Sequence, residues 1–189
     1  MAIFPMARHL DFDHFLKEQN AARSGSGNLT ERRNQWLEKI ELLYTRVQEI
    51  LSAYIESGAM KITVFSLELR EERLGSYQAP GLSIDLGGSS VRFVPIGTIL
   101  LGSPGRVDLV GLNGNVRFVL TLPDAEEPML FGWTSSEEAP SDRYSKPTDL
   151  AAYVWKVSTS PPRIRYRRLD AESLQSAIME VTRGHSIRR

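Results

Sequence analysis

The chain has no cysteine and only three histidines among its 189 residues. The first absence removes thiolate zinc sites, disulfide frameworks and thiol nucleophiles, and it agrees with a reducing compartment. Net charge is missing too, because 23 Lys and Arg stand against 23 Asp and Glu. Bulk attraction therefore gives no reason for a nucleic-acid or acidic-membrane partner, and charge has to be read locally. No apolar run approaches the ~18 residues of a membrane span, and Met1–His9 lacks the basic start and apolar core of a secretory leader. The expectation is a soluble cytoplasmic protein without a membrane span. With His9, His14 and His185 the only bases of their kind, and no serine in a nucleophile-elbow context, a Ser-His-Asp arrangement has little support.

What the chain does have is alternation. Between Leu82 and Leu122, apolar and polar residues alternate through four short runs separated by Gly-rich turns. Val107/Leu109 and Val116/Phe118/Leu120/Leu122 each define one buried face, while Arg106/Asp108 and Arg117/Thr121 look outward. That is the pattern of an antiparallel, half-buried sheet. Asn113-Gly114 marks a tight hairpin, since both residues tolerate the positive φ such turns require. Met60–Leu69 adds a strand with Ile62 and Val64 on one face and Phe65, Leu67 and Leu69 on the other, which suits a central strand covered on both sides. Further on, Tyr153–Ser158 and Arg163–Leu169 read as strands around the Pro161-Pro162 turn. Asp170 caps a final helix with Leu174, Ala177, Ile178 and Val181 on its apolar side and Gly184 at its end.

Before the sheet lies a long helix, opened by Asn28 with Glu31 three residues on and closed by Gly58. Its apolar stripe includes Trp36, Leu37, Ile40, Leu43, Tyr44, Val47, Ile50, Leu51, Tyr54 and Ile55. Positions 36, 40, 43, 47, 50 and 54 keep coiled-coil spacing, which raises a homodimer through helix 28–57. The extra apolar residues widen the stripe to that of a helix covering a core, so packing on the chain's own sheet is the preferred reading. Ahead of this helix, residues 1–27 read as a flexible arm. Asp11 caps a short amphipathic helix bearing Phe12, Phe15 and Leu16, and Arg23-Ser24-Gly25-Ser26-Gly27 breaks it.

The fold expected is α+β, with a mostly antiparallel sheet or small partly closed barrel of about six to eight strands. One long N-terminal helix and a short C-terminal helix pack it. Residues 28–189 form the single domain, with a long acidic loop at 123–149. The order of elements is similar to that of the pleckstrin-homology-like barrel, in order alone and without a motif, and implies nothing about function.

Local charge is unevenly placed. Residues 123–142 carry Asp124, Glu126, Glu127, Glu137, Glu138 and Asp142 with no Lys or Arg, whereas 143–189 carry ten basic residues against four acidic ones. Within the basic part, alternation sets Arg163, Arg165 and Arg167 on one face about 6.5–7 Å apart. That spacing suits a phosphate backbone, and Arg168, Arg183, Arg188 and Arg189 would extend the patch. The competing reading is neutralisation of this face by the acidic loop.

Metal-type ligands gather only at His9-Leu10-Asp11-Phe12-Asp13-His14. His9 and Asp13 share a helix face, but the ligand set is incomplete. Gly102-Ser103-Pro104-Gly105 lacks the Lys-Ser/Thr end of a phosphate-binding loop and reads as a hairpin turn. No catalytic residue, metal or cofactor is expected. The leading expectation is a non-catalytic protein-binding module, an accessory, adaptor or inhibitory subunit of a bacterial-type cytoplasmic complex. Its expected binding residues are Phe12, Phe15, Leu16, Leu42, Phe131 and Trp133. Leu42 enters as the single large apolar residue on the far side of the long helix. Two alternatives stand beside it: a nucleic-acid-associated protein using Arg163, Arg165, Arg167 and Arg168, and a hydrolase whose carboxylates come together from distant positions.

Overall fold

The computed structural model describes residues 8–98, 103–128 and 150–183, with side chains described from residue 29 onward. Its first element, α1, spans Arg8–Glu56. Trp36, Ile40, Leu43, Tyr44, Val47 and Leu51 along it are buried, so the apolar stripe faces the chain's own sheet and is not free to act as a dimer seam. Gly58 ends the helix as expected. At φ +74° it lets the chain turn back, its N–H donating to the Ile55 carbonyl and that of Met60 to the Tyr54 carbonyl, both at 3.0 Å.

The start of α1 departs from expectation, because the helix runs through Ser24–Gly27 instead of breaking there and restarting at Asn28. Each glycine costs about 1 kcal/mol against alanine inside a helix. Elongation from an anchored helix, however, adds a hydrogen bond for every residue fixed, and the nucleus is already supplied by the packed turns downstream. The side chains of Phe12, Phe15 and Leu16 lie outside those described.

Seven strands follow: β1 (Lys61–Glu71), β2 (Gly75–Asp85), β3 (Ser90–Gly97), β4 (Arg106–Gly111), β5 (Gly114–Thr121), β6 (Val154–Ser158) and β7 (Tyr166–Arg168). They form one antiparallel sheet in sequential order, open at both edges, and α2 (Ala171–Arg183) completes an α+β fold. The core fills the space between the sheet and the two helices. At its centre the Phe93 ring meets Phe118 edge-on at 5.1 Å and Tyr44 at 6.1 Å. In β2 the buried positions change parity, from Tyr77 and Ala79 to Leu82 and Ile84. The change falls beside Gly81, where the Phe65 ring lies so close that a Cβ would meet it at 2.2 Å.

Two local expectations are corrected. β1 is an edge strand rather than a central one, and Val64 is 60% exposed. An apolar run reports β propensity on both faces but not how many neighbours the strand has. In the β4–β5 hairpin Gly111 pairs with Gly114, so the turn is Leu112-Asn113 and not Asn113-Gly114. Asn113 keeps negative φ, and only Gly114 takes the positive value, +125°. The asparagine is used elsewhere: its backbone N–H donates to the Val181 carbonyl at 2.9 Å and its side-chain amide to that of Thr182, tying the hairpin to the end of α2. At the start of α2 the Asp170 cap is present. The Ser173 N–H donates to Asp170 Oδ1 at 2.9 Å and the Asp170 N–H to Ser173 Oγ at 3.0 Å, a reciprocal capping box with serine in the usual Glu position.

Candidate functional site

Lys39, Leu42 and Arg46 are three and four residues apart on α1 and so share one side of the helix, next to the buried stripe. Facing them are Tyr153 and Val154–Lys156 at the start of β6, Arg168 and Leu169 at the end of β7, and Pro123 just beyond β5. Together they enclose a cleft of about 620 Å³. Two bonds running in opposite directions hold its walls together. The Trp155 indole N–H donates to the Lys39 carbonyl at 2.6 Å, and Lys39 Nζ donates to the Tyr153 carbonyl at 2.8 Å. The Trp155 ring also packs 6.0 Å from that of Trp36, which anchors β6 to the helix through the core. Gly105 makes room for Trp36, since a Cβ there would stand 2.5 Å from the indole.

Among the described residues the charge lining this cleft is of one sign: Lys39, Arg46, Lys156 and Arg168 are cationic, and none is acidic. Lys156 is the most unusual of them, 7% exposed, with Nζ donating to the Pro123 carbonyl at 2.6 Å and the Ala125 carbonyl at 2.7 Å. Both acceptors are neutral, so the hydrogen bonds offset part of its desolvation and leave the charge in place. Arg46 pairs with Glu49 one turn along at 3.0 Å, but both side chains are more than half exposed, so this surface pair is weak. Arg168 stands opposite Lys156 across the β6–β7 pair. It also helps hold the Asp170 carboxyl below the usual carboxylate range, after the larger effect of the Ser173 backbone bond. Leu42 at 52% and Val154 at 40% exposure supply apolar surface at the rim. Chemically, the cleft offers a home to an anionic group carried on an apolar or aromatic body.

Of the residues expected to bind, Leu42 and Arg168 meet here. Arg163, Arg165 and Arg167 are exposed and alternate with the half-buried Ile164 and Tyr166, although regular strand begins only at Tyr166. Ahead of it the chain is held by Thr159, whose Oγ1 donates to the Arg163 carbonyl and accepts from the Arg165 N–H. The acidic segment does reach this region: Glu127 pairs with Arg165, and the Tyr166 N–H donates to the Glu126 carbonyl at 2.8 Å. Tyr166 stands opposite Ser158 and is half-buried, and that burial pushes its phenol pKa up. Phe131 and Trp133 lie outside the described residues. Lys39, Arg46 and Lys156 escaped sequence reading. The helical spacing 39, 42, 46 was visible, whereas the convergence of β6 and β7 on that side was not.

Two other polar clusters are structural. Glu71 accepts from the Tyr77 hydroxyl, from the Thr98 N–H at 2.8 Å and from Thr98 Oγ1 at 2.7 Å, fastening the end of β1 to the end of β3. Burial first, then the bond to Glu71, pushes the Tyr77 phenol up. Asp108 is buried under a bidentate Arg106 at 2.6 Å and accepts from Asn115 at 2.8 Å. Among the described residues no group of three or more His, Asp or Glu is arranged to hold a metal. The side chains of His9, Asp13 and His14 lie outside them. No helix among the described residues is long and apolar enough to cross a membrane. No protein-family model matches the chain, and comparison with curated proteins and with solved structures returns no match.

Proposed function

We propose that the protein is a non-catalytic binding module, an accessory, adaptor or inhibitory subunit, that takes an acidic segment of a partner protein into the cleft between α1 and β6. The observation carrying this reading is a cleft of about 620 Å³ lined, among the described residues, by four cationic side chains and no acidic one, with Leu42, Val154, Trp155 and Leu169 as its apolar surface. An acidic peptide bearing an aromatic or aliphatic side chain satisfies both halves of that surface. Carboxylates engage the cations through charge-assisted hydrogen bonds, and the apolar side chain covers Leu42 and Val154. A nucleic-acid strand fits less well. It needs a continuous basic track, and here the acidic segment reaches that stretch, with Glu127 against Arg165 in an exposed pair and the Tyr166 N–H donating to the Glu126 carbonyl.

Selection from a displayed library of random peptides tests the reading. Enrichment of sequences combining Asp or Glu with an aromatic residue is expected, with affinity falling on added salt and by about tenfold or more in an Arg46→Gln, Arg168→Gln double variant. Absence of enrichment, or binders indifferent to the double variant, overturns it. Salt-sensitive binding of duplex or single-stranded DNA abolished by the same substitutions would transfer the site to nucleic acid.

A further inference from the structure

The two edges of the sheet are built differently. β7 has three residues, two of them arginine, which follows the usual protection of an open edge by shortness and charge. β1 has eleven residues and pairs with β2 at every one of them without a register shift. It therefore presents about 36 Å of continuous edge on its other side. Among the described residues, no backbone hydrogen bond outside the β1–β2 ladder involves residues 61–71. Its middle, Ile62-Thr63-Val64-Phe65-Ser66-Leu67, contains no charge, proline or glycine, and Val64 is 60% exposed. A segment of high β propensity with no charge or proline within it, on an open edge, is a template for another strand.

The charges at the ends of β1 say which strand. The only charge before the apolar middle is Lys61, and Glu68, Arg70 and Glu71 follow it. A second copy running parallel would set Lys61 by Lys61 and each glutamate by its equivalent, and like charges directly opposite one another are destabilising. A second copy running antiparallel about a two-fold axis reverses this. Full overlap of the eleven residues puts the axis at Ser66 and leaves no like charges opposite one another: Lys61 faces Glu71 of the copy, whose carboxylate also holds Tyr77 and Thr98, Glu68 faces Val64, Arg70 faces Ile62, and Phe65 faces Leu67 on both sides of the axis. The geometry points to β1 as a self-complementary dimer edge, at which two copies join their sheets into one continuous antiparallel sheet. The interface is isologous, so it closes at two copies and consumes the edge that would otherwise continue to add strands. It is independent of the α1–β6 cleft, which lies at the other end of the strand order.

The absence of cysteine provides a clean test. A Ser66→Cys variant carries a single thiol, and in the pairing described it meets its own copy at a Cα separation of about 4.5–5.5 Å, within disulfide range. Mild oxidation should crosslink it at least about tenfold faster than a Leu112→Cys control at the exposed β4–β5 turn, because only the former is held at high effective concentration. Sedimentation of the unmodified chain should show a dimer at about 100 μM. Ser66→Lys, which sets two ammonium groups together at the axis and removes only an exposed hydroxyl with its surface bond to Gln78 at 2.8 Å, should return it to monomer with its thermal transition retained. A monomer throughout that concentration range, a dimer that Ser66→Lys leaves intact, or equal crosslinking of the two cysteine variants overturns the proposal. Should Ser66→Lys fail to fold, the crosslinking comparison decides alone.

Discussion

Lys156 holds its ammonium with two backbone carbonyls rather than a carboxylate. Its neighbours in the cleft, Lys39 and Arg168, add charge of the same sign. Lys156→Met should therefore separate binding from stability. Pro123 is exposed and Ala125 half-exposed, so their carbonyls regain water when the ammonium is lost, and removing a buried charge relieves its desolvation. Chemical denaturation should show a change within about 1 kcal/mol, while affinity for an acidic peptide falls about tenfold or more, as expected for one charge-assisted bond. Asp170 offers the opposite case, a residue whose contribution is structural. Asp170→Ala should cost about 1 kcal/mol at neutral pH through loss of the cap on α2. The Asp170 carboxyl is held below its ordinary value by the Ser173 backbone bond first. Its contribution is present in full above the unfolded carboxylate range and disappears as the pH falls through the lowered folded value. Unfolding curves of the two proteins should accordingly converge in acid.

At the scale of elements, α1 carries two different surfaces on one helix. Leu51 is fully buried against the sheet and Leu42 is 52% exposed at the cleft. Leu51→Ala should cost about 2–5 kcal/mol, the usual range for a leucine cavity in a core. Leu42→Ala should stay within about 0.5 kcal/mol and show its effect in peptide affinity instead. A pair of denaturation curves and a pair of binding isotherms check both. The stripe on α1 was legible because a 3.6-residue period is a local property that survives in the linear chain. So were the β-runs between residues 82 and 122 and the cap of α2, each written in residues adjacent in sequence. The continuity of α1 across Ser24–Gly27 was not, since glycine propensity is a small local cost set against helix already stabilised by packing elsewhere.

At the scale of the whole molecule, Trp36 is the first buried residue of α1 among the side chains described, which start at residue 29. Removal of residues 1–27 should leave the melting temperature nearly unchanged in scanning calorimetry, with the transition still cooperative. A large fall would mean that the first turns of α1 belong to the folding unit. The sequential strand order makes each β-pairing a contact between neighbours in the chain, except β5 with β6, which spans the long acidic connection.

By itself the sequence determined the α+β class, the antiparallel sheet, the amphipathic helix and its stop at Gly58, because periodicity and turn chemistry act over a few residues. Tertiary structure alone decided that β1 is an edge, that the Asn113 side chain serves α2, and that Lys39, Arg46, Lys156 and Arg168 share one cleft. These outcomes join residues up to 129 positions apart, Lys39 to Arg168. No local pattern encodes such a meeting, which follows from how β6 and β7 converge on α1 and which strand is left at each edge.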